Sequence, residues 1–225
     1  MTIIGIAGRK GHGKDTAANF LVDLQGFVNI KFASGIKQIA TSFFHFAYYT
    51  AEQKDLSTEE LFELTDGSRK EESLELLHAQ GNNLFRQFME EYNDLLEEIF
   101  VVDIRTLDVP EFKGTTSREF QQFIGTEVGR NLVGETVWTD AAIREANEYE
   151  NVVISDVRFP NEVEVIQNEG GYVYRIERPG VTDTGFSNHP SEALIDTLDV
   201  DGVISNDGTL RDLREQVIQL YKERL

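Results

Sequence analysis

Nine residues near the start of the chain, Gly8-Arg9-Lys10-Gly11-His12-Gly13-Lys14-Asp15-Thr16, carry the densest chemical signal in the sequence. Up to Lys14 they match G-x-x-x-x-G-K, the spacing in which a glycine-rich turn aims successive backbone N–H groups at phosphate oxygens. Glycine admits an anion where a Cβ would block it, and the start of a following helix adds partial positive charge. Lys14 then neutralises charge on the outer phosphates of a nucleotide. The usual hydroxyl after the lysine is displaced by one position: Asp15 stands there and Thr16 follows. A carboxylate at that point binds Mg²⁺ directly or through water while Thr16 bonds a phosphate, so both enter the metal set as candidates.

A second acidic candidate closes an apolar run. In Val152-Val153-Ile154-Ser155-Asp156 a buried strand delivers a carboxylate to its carboxyl end, the edge where open α/β sheets place ligands. Asp156 there holds Mg²⁺ through water or takes a proton from an acceptor group; its plainer role is to cap the turn before Pro160. Arg158 and Glu162 follow at the same rim, where a surface ion pair is the plainer reading of the couple. Phosphoryl transfer spreads charge over three equatorial oxygens and calls for more cations than Lys14 alone. Arg118, Arg130, Arg158, Arg175 and Arg178 are the candidates. On one continuous α-helix the twelve residues from Arg118 to Arg130 would set the two about 120° apart, and Gly125 is placed to interrupt that helix. Trp138, the only tryptophan, stacks on a base or packs in a core, the second being commoner. His12 reads as a loop filler, and His45 and His78 show no metal-ligand spacing.

Elements must hold these groups in place. Thr2 to Ala7 and Val28 to Ala33 read as short buried strands. Between them Ala17, Phe20, Leu21 and Leu24 form one stripe of a helix from about Lys14 to Leu24, which Gly26 stops. Strand, glycine loop, helix, strand is the βαβ unit of a parallel sheet. Asn151 to Ser155, Gly171 to Ile176 and Asp201 to Ser205 add strands, with a helix opened by Pro160 and closed by Gly170. A last helix follows Asn206-Asp207-Gly208 with Leu210, Leu213, Val217 and Leu220 on one side. The fold class expected is therefore α/β, three layers about a central parallel sheet, in one domain over 1–225. From Thr50 to Glu98 there are 14 acidic and 4 basic residues, with a helical period in Leu84, Phe88, Tyr92, Leu95 and Leu96. That predicts a helical insert with a solvated acidic face at about 50–115. Pro179 to Pro190 is polar and rich in turn formers, a lid-like loop at about 179–190.

Composition bounds the partners. With 40 acidic and 21 basic residues the formal charge is −19, a field that repels polyanions and argues against nucleic acid or an anionic membrane as the main partner. An anionic small molecule is instead captured locally, by a few oriented N–H groups and cations. The absence of cysteine removes disulfides, thiolate zinc sites and cysteine nucleophiles together. No apolar stretch reaches the ~20 residues of a spanning helix, and the start lacks a basic leader followed by a cleavage signal. A cytoplasmic protein is expected, with a homodimer left open.

Taken together, GRKGHGKDT, KFASGIK, SREFQQFIGTEVGR with Trp138, ISDVRFPNE, RIERPG, NHPSE and ISNDGTLRDL resemble the deoxynucleoside monophosphate kinases of tailed bacteriophages. The resemblance spans both ends and the middle of the chain and leaves mainly Tyr48 to Thr115 uncovered. It implies an adenylate kinase-like phosphate-loop fold and Mg²⁺-dependent transfer from ATP to a deoxynucleoside monophosphate, in nucleotide supply for DNA synthesis. It puts the donor on Gly11, His12, Gly13, Lys14, Asp15 and Thr16, with Asn206 beside the adenine. It sets Arg118, Trp138, Asp156, Arg158 and Glu162 in or beside the acceptor and catalytic centre. Arg130 joins the acceptor set as a candidate cation. The catalytic set is Lys14, Arg118, Asp156 and Arg158, and the metal set is Asp15, Thr16 and Asp156. Gly35 departs from the expected stiff residue on the acceptor side. The rival readings are a dephospho-coenzyme A or phosphomevalonate type of kinase, and a nucleotide-dependent switch that phosphorylates nothing.

Overall fold

The computed structural model describes residues 1–43, 88–110, 112, 117–180 and 194–222. The chain divides into two compact units, Met1–Phe32 with Ala142–Leu225, and Ala33–Ala141.

The first unit is a parallel sheet with its strands in the order β2-β3-β1-β4-β5. These are β1 (Thr2–Gly8), β2 (Val28–Ile30), β3 (Asn151–Val157), β4 (Tyr172–Glu177) and β5 (Gly202–Ser205). Alternate residues of the two central strands feed opposite cores. Ile3, Ala7, Val152 and Ile154 enter one apolar cluster, and Ile4, Ile6 and Val153 enter the other. Both faces are thus covered, as all-parallel sheets require, and this is why these strands read as unbroken β-branched runs. Helices α1 (Lys14–Gln25) and α7 (Leu210–Lys222) pack on one face. Helix α6 (Pro160–Asn168) and the end of α5 (Val137–Ala146) pack on the other. Three layers result.

Two helix stripes differ in detail from the sequence pattern. In α1 the buried positions are Lys14, Ala17, Ala18 and Leu21, while Leu24 is exposed. The stripe keeps the i, i+3, i+4, i+7 spacing but starts on the lysine, so the helix seats Lys14 against the sheet. In α7 the buried row is Leu213, Val217 and Tyr221, and Leu210, at the helix's first residue, stands in solvent. Strand β2 is also shorter than its apolar run, because the chain turns at 32–33 and enters a helix at Ser34.

The described part of the second unit contains α2 (Ser34–Phe43), α3 (Asn93–Phe100), a 3₁₀ turn (Ile104–Thr106), α4 (Ser117–Gln122) and a π-helix (Phe123–Val133). No strand lies among its described residues. Its core joins Ile39, Phe43, Phe88, Leu96, Ile99, Phe100, Phe120, Ile124 and Trp138, with Phe43 stacked on Phe120 at 4.2 Å between centroids. Most of the insert expected at about 50–115 and the lid-like loop beyond Gly180 fall outside the described residues. The helical period read across Phe88, Tyr92, Leu95 and Leu96 matches buried or partly buried core positions.

One expectation is corrected. The segment from Arg118 to Arg130 is not a single α-helix that Gly125 breaks: α4 passes at Phe123 into a π register. Its i→i+5 ladder is visible at the end, where the Gly134 N–H donates to the Gly129 carbonyl at 2.9 Å. Because a π-helix winds less per residue than an α-helix, the 120° separation of Arg118 and Arg130 does not hold.

Candidate functional site

In a parallel sheet every strand ends at the same edge, so strand registers alone say which residues emerge side by side. Ala7 is level with Val157, Gly8 with Ile176, and Glu177 with Ser205. The glycine loop after β1, the Asp156–Arg158 corner after β3, Arg178 after β4 and Asn206 after β5 therefore share one rim.

The loop is shaped by its glycines. Gly13, the residue before α1, has φ +99° and a built Cβ would lie 2.7 Å from the Asn206 Nδ2. Gly8 has φ +147°, and a Cβ there would meet the Ile176 carbonyl oxygen at 2.7 Å. Both positions demand glycine, by conformation and by space. Asn206, buried, donates from Nδ2 to the His12 carbonyl at 3.0 Å, while its own N–H reaches the Glu177 carbonyl at 2.7 Å. It props the loop against the ends of β4 and β5.

Lys14 is 9% exposed and donates from Nζ to the Arg9 carbonyl at 2.8 Å. The loop thus curls its ammonium over its own backbone. His12 is more than a filler: Nδ1 lies 3.3 Å from the Ile176 carbonyl and 3.3 Å from the Arg178 N–H. That nitrogen donates to the first or accepts from the second, according to tautomer. Asp15, 74% exposed, pairs with Lys31 at 3.1 Å. Arg9 pairs with Asp196 at 2.6 Å. Lys31 and Asp196 lie 16 and 187 positions from their partners, and a lone charge in a sequence gives no sign of such a pairing.

At the second corner Asp156 is half-buried, and its Oδ1 accepts the Phe32 N–H at 2.8 Å. That bond ties the end of β3 to the turn after β2. Glu162 is buried at 4%; its Oε2 accepts the N–H of Arg158 at 2.7 Å and of Phe159 at 3.1 Å. A carboxylate over the first turn of α6, with Pro160 as its first residue, satisfies N–H groups that a helix start leaves open. Glu162 therefore builds the turn that carries Arg158. Glu162→Ala should cost about 2–3 kcal/mol, the penalty of leaving two N–H groups without an acceptor. Urea titration reads this as a lower midpoint at unchanged slope, and Glu162→Gln, which keeps an acceptor, loses less.

Among the other arginines, Arg175 lies on β4 and is held by Glu177 at 2.8 Å and by the Asp196 carbonyl at 3.3 Å. Arg178 is exposed at the rim. Arg118 and Arg130 belong to the second unit, on α4 and the π-helix. Trp138 is in the core of that unit, 3% exposed, with its indole N–H donated to the Gly125 carbonyl at 2.9 Å. A stacking platform needs an open ring face, so the geometry describes the packing role and not the base-stacking one.

A glycine loop running from the central strand of a two-sided parallel sheet into a helix, with an acid and an arginine at the neighbouring strand end, defines a phosphate-loop α/β domain. The chain belongs to the deoxynucleotide monophosphate kinase family, whose profile matches residues 2–217. A relative from Acanthamoeba polyphaga mimivirus is 30% identical over 223 residues, covering 97% of this chain and 95% of its own. The deoxynucleotide monophosphate kinase of Enterobacteria phage T4 is 26% identical over 99% of each chain. The deoxynucleoside-5'-monophosphate kinase of Escherichia phage T5 is 25% identical over 86% of this chain and 84% of its own.

Proposed function

We propose that the protein transfers the γ-phosphoryl group of ATP to a deoxynucleoside monophosphate, giving a deoxynucleoside diphosphate and ADP, in nucleotide supply for DNA synthesis. One observation carries the reading: a glycine nest with a buried lysine beside the Asp156–Arg158 corner, in a chain matched to this family almost end to end.

The acceptor phosphate oxygen attacks the γ-phosphorus in line, and the bond from that phosphorus to the bridging oxygen of ADP breaks. The attacking oxygen is already anionic, so no strong base is needed, and positioning with charge stabilisation supplies the rate. The loop N–H groups and Lys14 hold the β- and γ-phosphates, Lys14 leaving the Arg9 carbonyl to do so. Asn206 props the loop through the His12 carbonyl. Arg158, with Arg118 and Arg130, is proposed to meet the acceptor and transferred phosphates. Glu162 serves by fixing Arg158.

Asp15, Thr16 and Asp156 are the side chains proposed to hold Mg²⁺. Their hard oxygen donors fit it, since Mg²⁺ takes one or two carboxylates and fills its shell with water and substrate phosphates. When bound, the ion would supply charge neutralisation for the transferred phosphoryl group.

The test is ADP formation with ATP and Mg²⁺ against a panel of dGMP, dTMP, dCMP, dAMP and 5-substituted dCMP. Turnover must rise strongly with at least one of them. Equal turnover with and without every acceptor returns the protein to the class of ATP-dependent switches.

A further inference from the structure

The second unit holds an arrangement that the transfer reaction does not by itself explain. Two glycines leave room for the Trp138 ring, and the backbone of a third bonds it. A Cβ on Gly129 would lie 2.5, 2.7 and 2.7 Å from the Trp138 ring atoms Cζ2, Cε2 and Nε1. A Cβ on Gly35, at the start of α2, would lie 3.0 Å from Cζ3 and 3.2 Å from Ile99 Cγ2. The third, Gly125, contributes its carbonyl to the indole N–H at 2.9 Å. This accounts for Gly35 where a stiffer residue was expected: the indole fills the space a side chain would take.

The slot coincides with the π-helix. Runs of π-helix are rare and appear mostly as single turns at functional sites, whereas this one spans 11 residues. In an α register the Gly125 carbonyl would accept the Gly129 N–H; in a π register its partner is the N–H of Arg130. The Trp138 N–H, bonded to that same carbonyl, lies where the two registers compete. Going from one register to the other shifts the ladder by one residue, which in α terms turns a following side chain by about 100°.

We propose that Trp138 is a positioning residue for acceptor binding: through Gly125, Gly129 and Gly35 it locks the π register of Phe123–Val133 and so sets the direction of the half-buried Arg130. The kinetic half of this rests on the proposed function, in which Arg130 meets the acceptor phosphate; the lock itself does not.

Two measurements on the full chain separate those halves. As the sole tryptophan, Trp138 gives one indole N–H resonance in a ¹⁵N-labelled sample. The lock predicts slow hydrogen exchange for it with no nucleotide present, and exchange as fast as in an exposed indole overturns the lock. Trp138→Phe keeps an aromatic ring but loses the donor. Its KM for the dNMP should rise about 10-fold, the worth of one buried hydrogen bond, with KM for ATP within about two-fold of wild type. In an Arg130→Ala background the same substitution should then add less than about two-fold, because residues acting through one another are not additive. An unchanged dNMP KM, an equal rise in both KM values, or full additivity with Arg130→Ala overturns the positioning role. Slow indole exchange together with no turnover of any dNMP by the wild-type protein overturns the functional reading and leaves the lock standing.

Discussion

Replacing Lys14 with methionine lowers kcat/KM by about 10²–10³-fold or more while leaving the protein folded. The magnitude follows from removing the one lysine charge that the proposed function assigns to the transferred phosphates. Lys14 is nearly buried and its ammonium rests on the Arg9 carbonyl. Methionine preserves the apolar stem and removes a buried charge, so thermal stability should hold or rise slightly. A stopped reaction with an unchanged melting curve is the expected pair of results. Substantial activity in Lys14→Met would mean that the loop holds something other than the donor phosphates.

Asp156 gives the second large effect, and two substitutions divide its roles. Asp156→Asn retains a carbonyl oxygen for the Phe32 N–H, now bonded at 2.8 Å, but removes the negative charge. Activity should fall about 10²-fold, with the Mg²⁺ concentration for half-maximal rate moving up and little change in stability. Asp156→Ala should lose the same activity and also destabilise the fold, since the Phe32 N–H loses its acceptor. Rate measurements over a magnesium series, beside thermal melts, read both. If the asparagine variant works as well as wild type, Asp156 is a structural tie between two strand ends and nothing more.

The parts of the structure legible in the sequence are those set by neighbours in the chain. Unbroken apolar runs marked β1, β3 and β4, and the glycine spacing marked the loop, because these follow from local sterics and from burial on both faces. Gly26 and Pro160 bounded their helices as read. What was not legible joins distant residues: Asn206 to the His12 carbonyl, Phe32 to Asp156, Arg9 to Asp196. No periodicity encodes such pairs. Trp138 shows the limit most clearly. Its type admits a stacking or a packing role, the second being commoner, and only the glycine slot around it decides. The π register of Phe123–Val133 was hidden for a related reason, since the same residues also satisfy an α pattern.

The fate of a labelled phosphate tests the central claim most directly. With γ-³²P-labelled ATP, Mg²⁺ and an accepted dNMP, the label should appear in the β-position of the deoxynucleoside diphosphate, in step with ADP, and be lost in Lys14→Met. Label released only as inorganic phosphate, at a rate indifferent to the dNMP, would contradict the account.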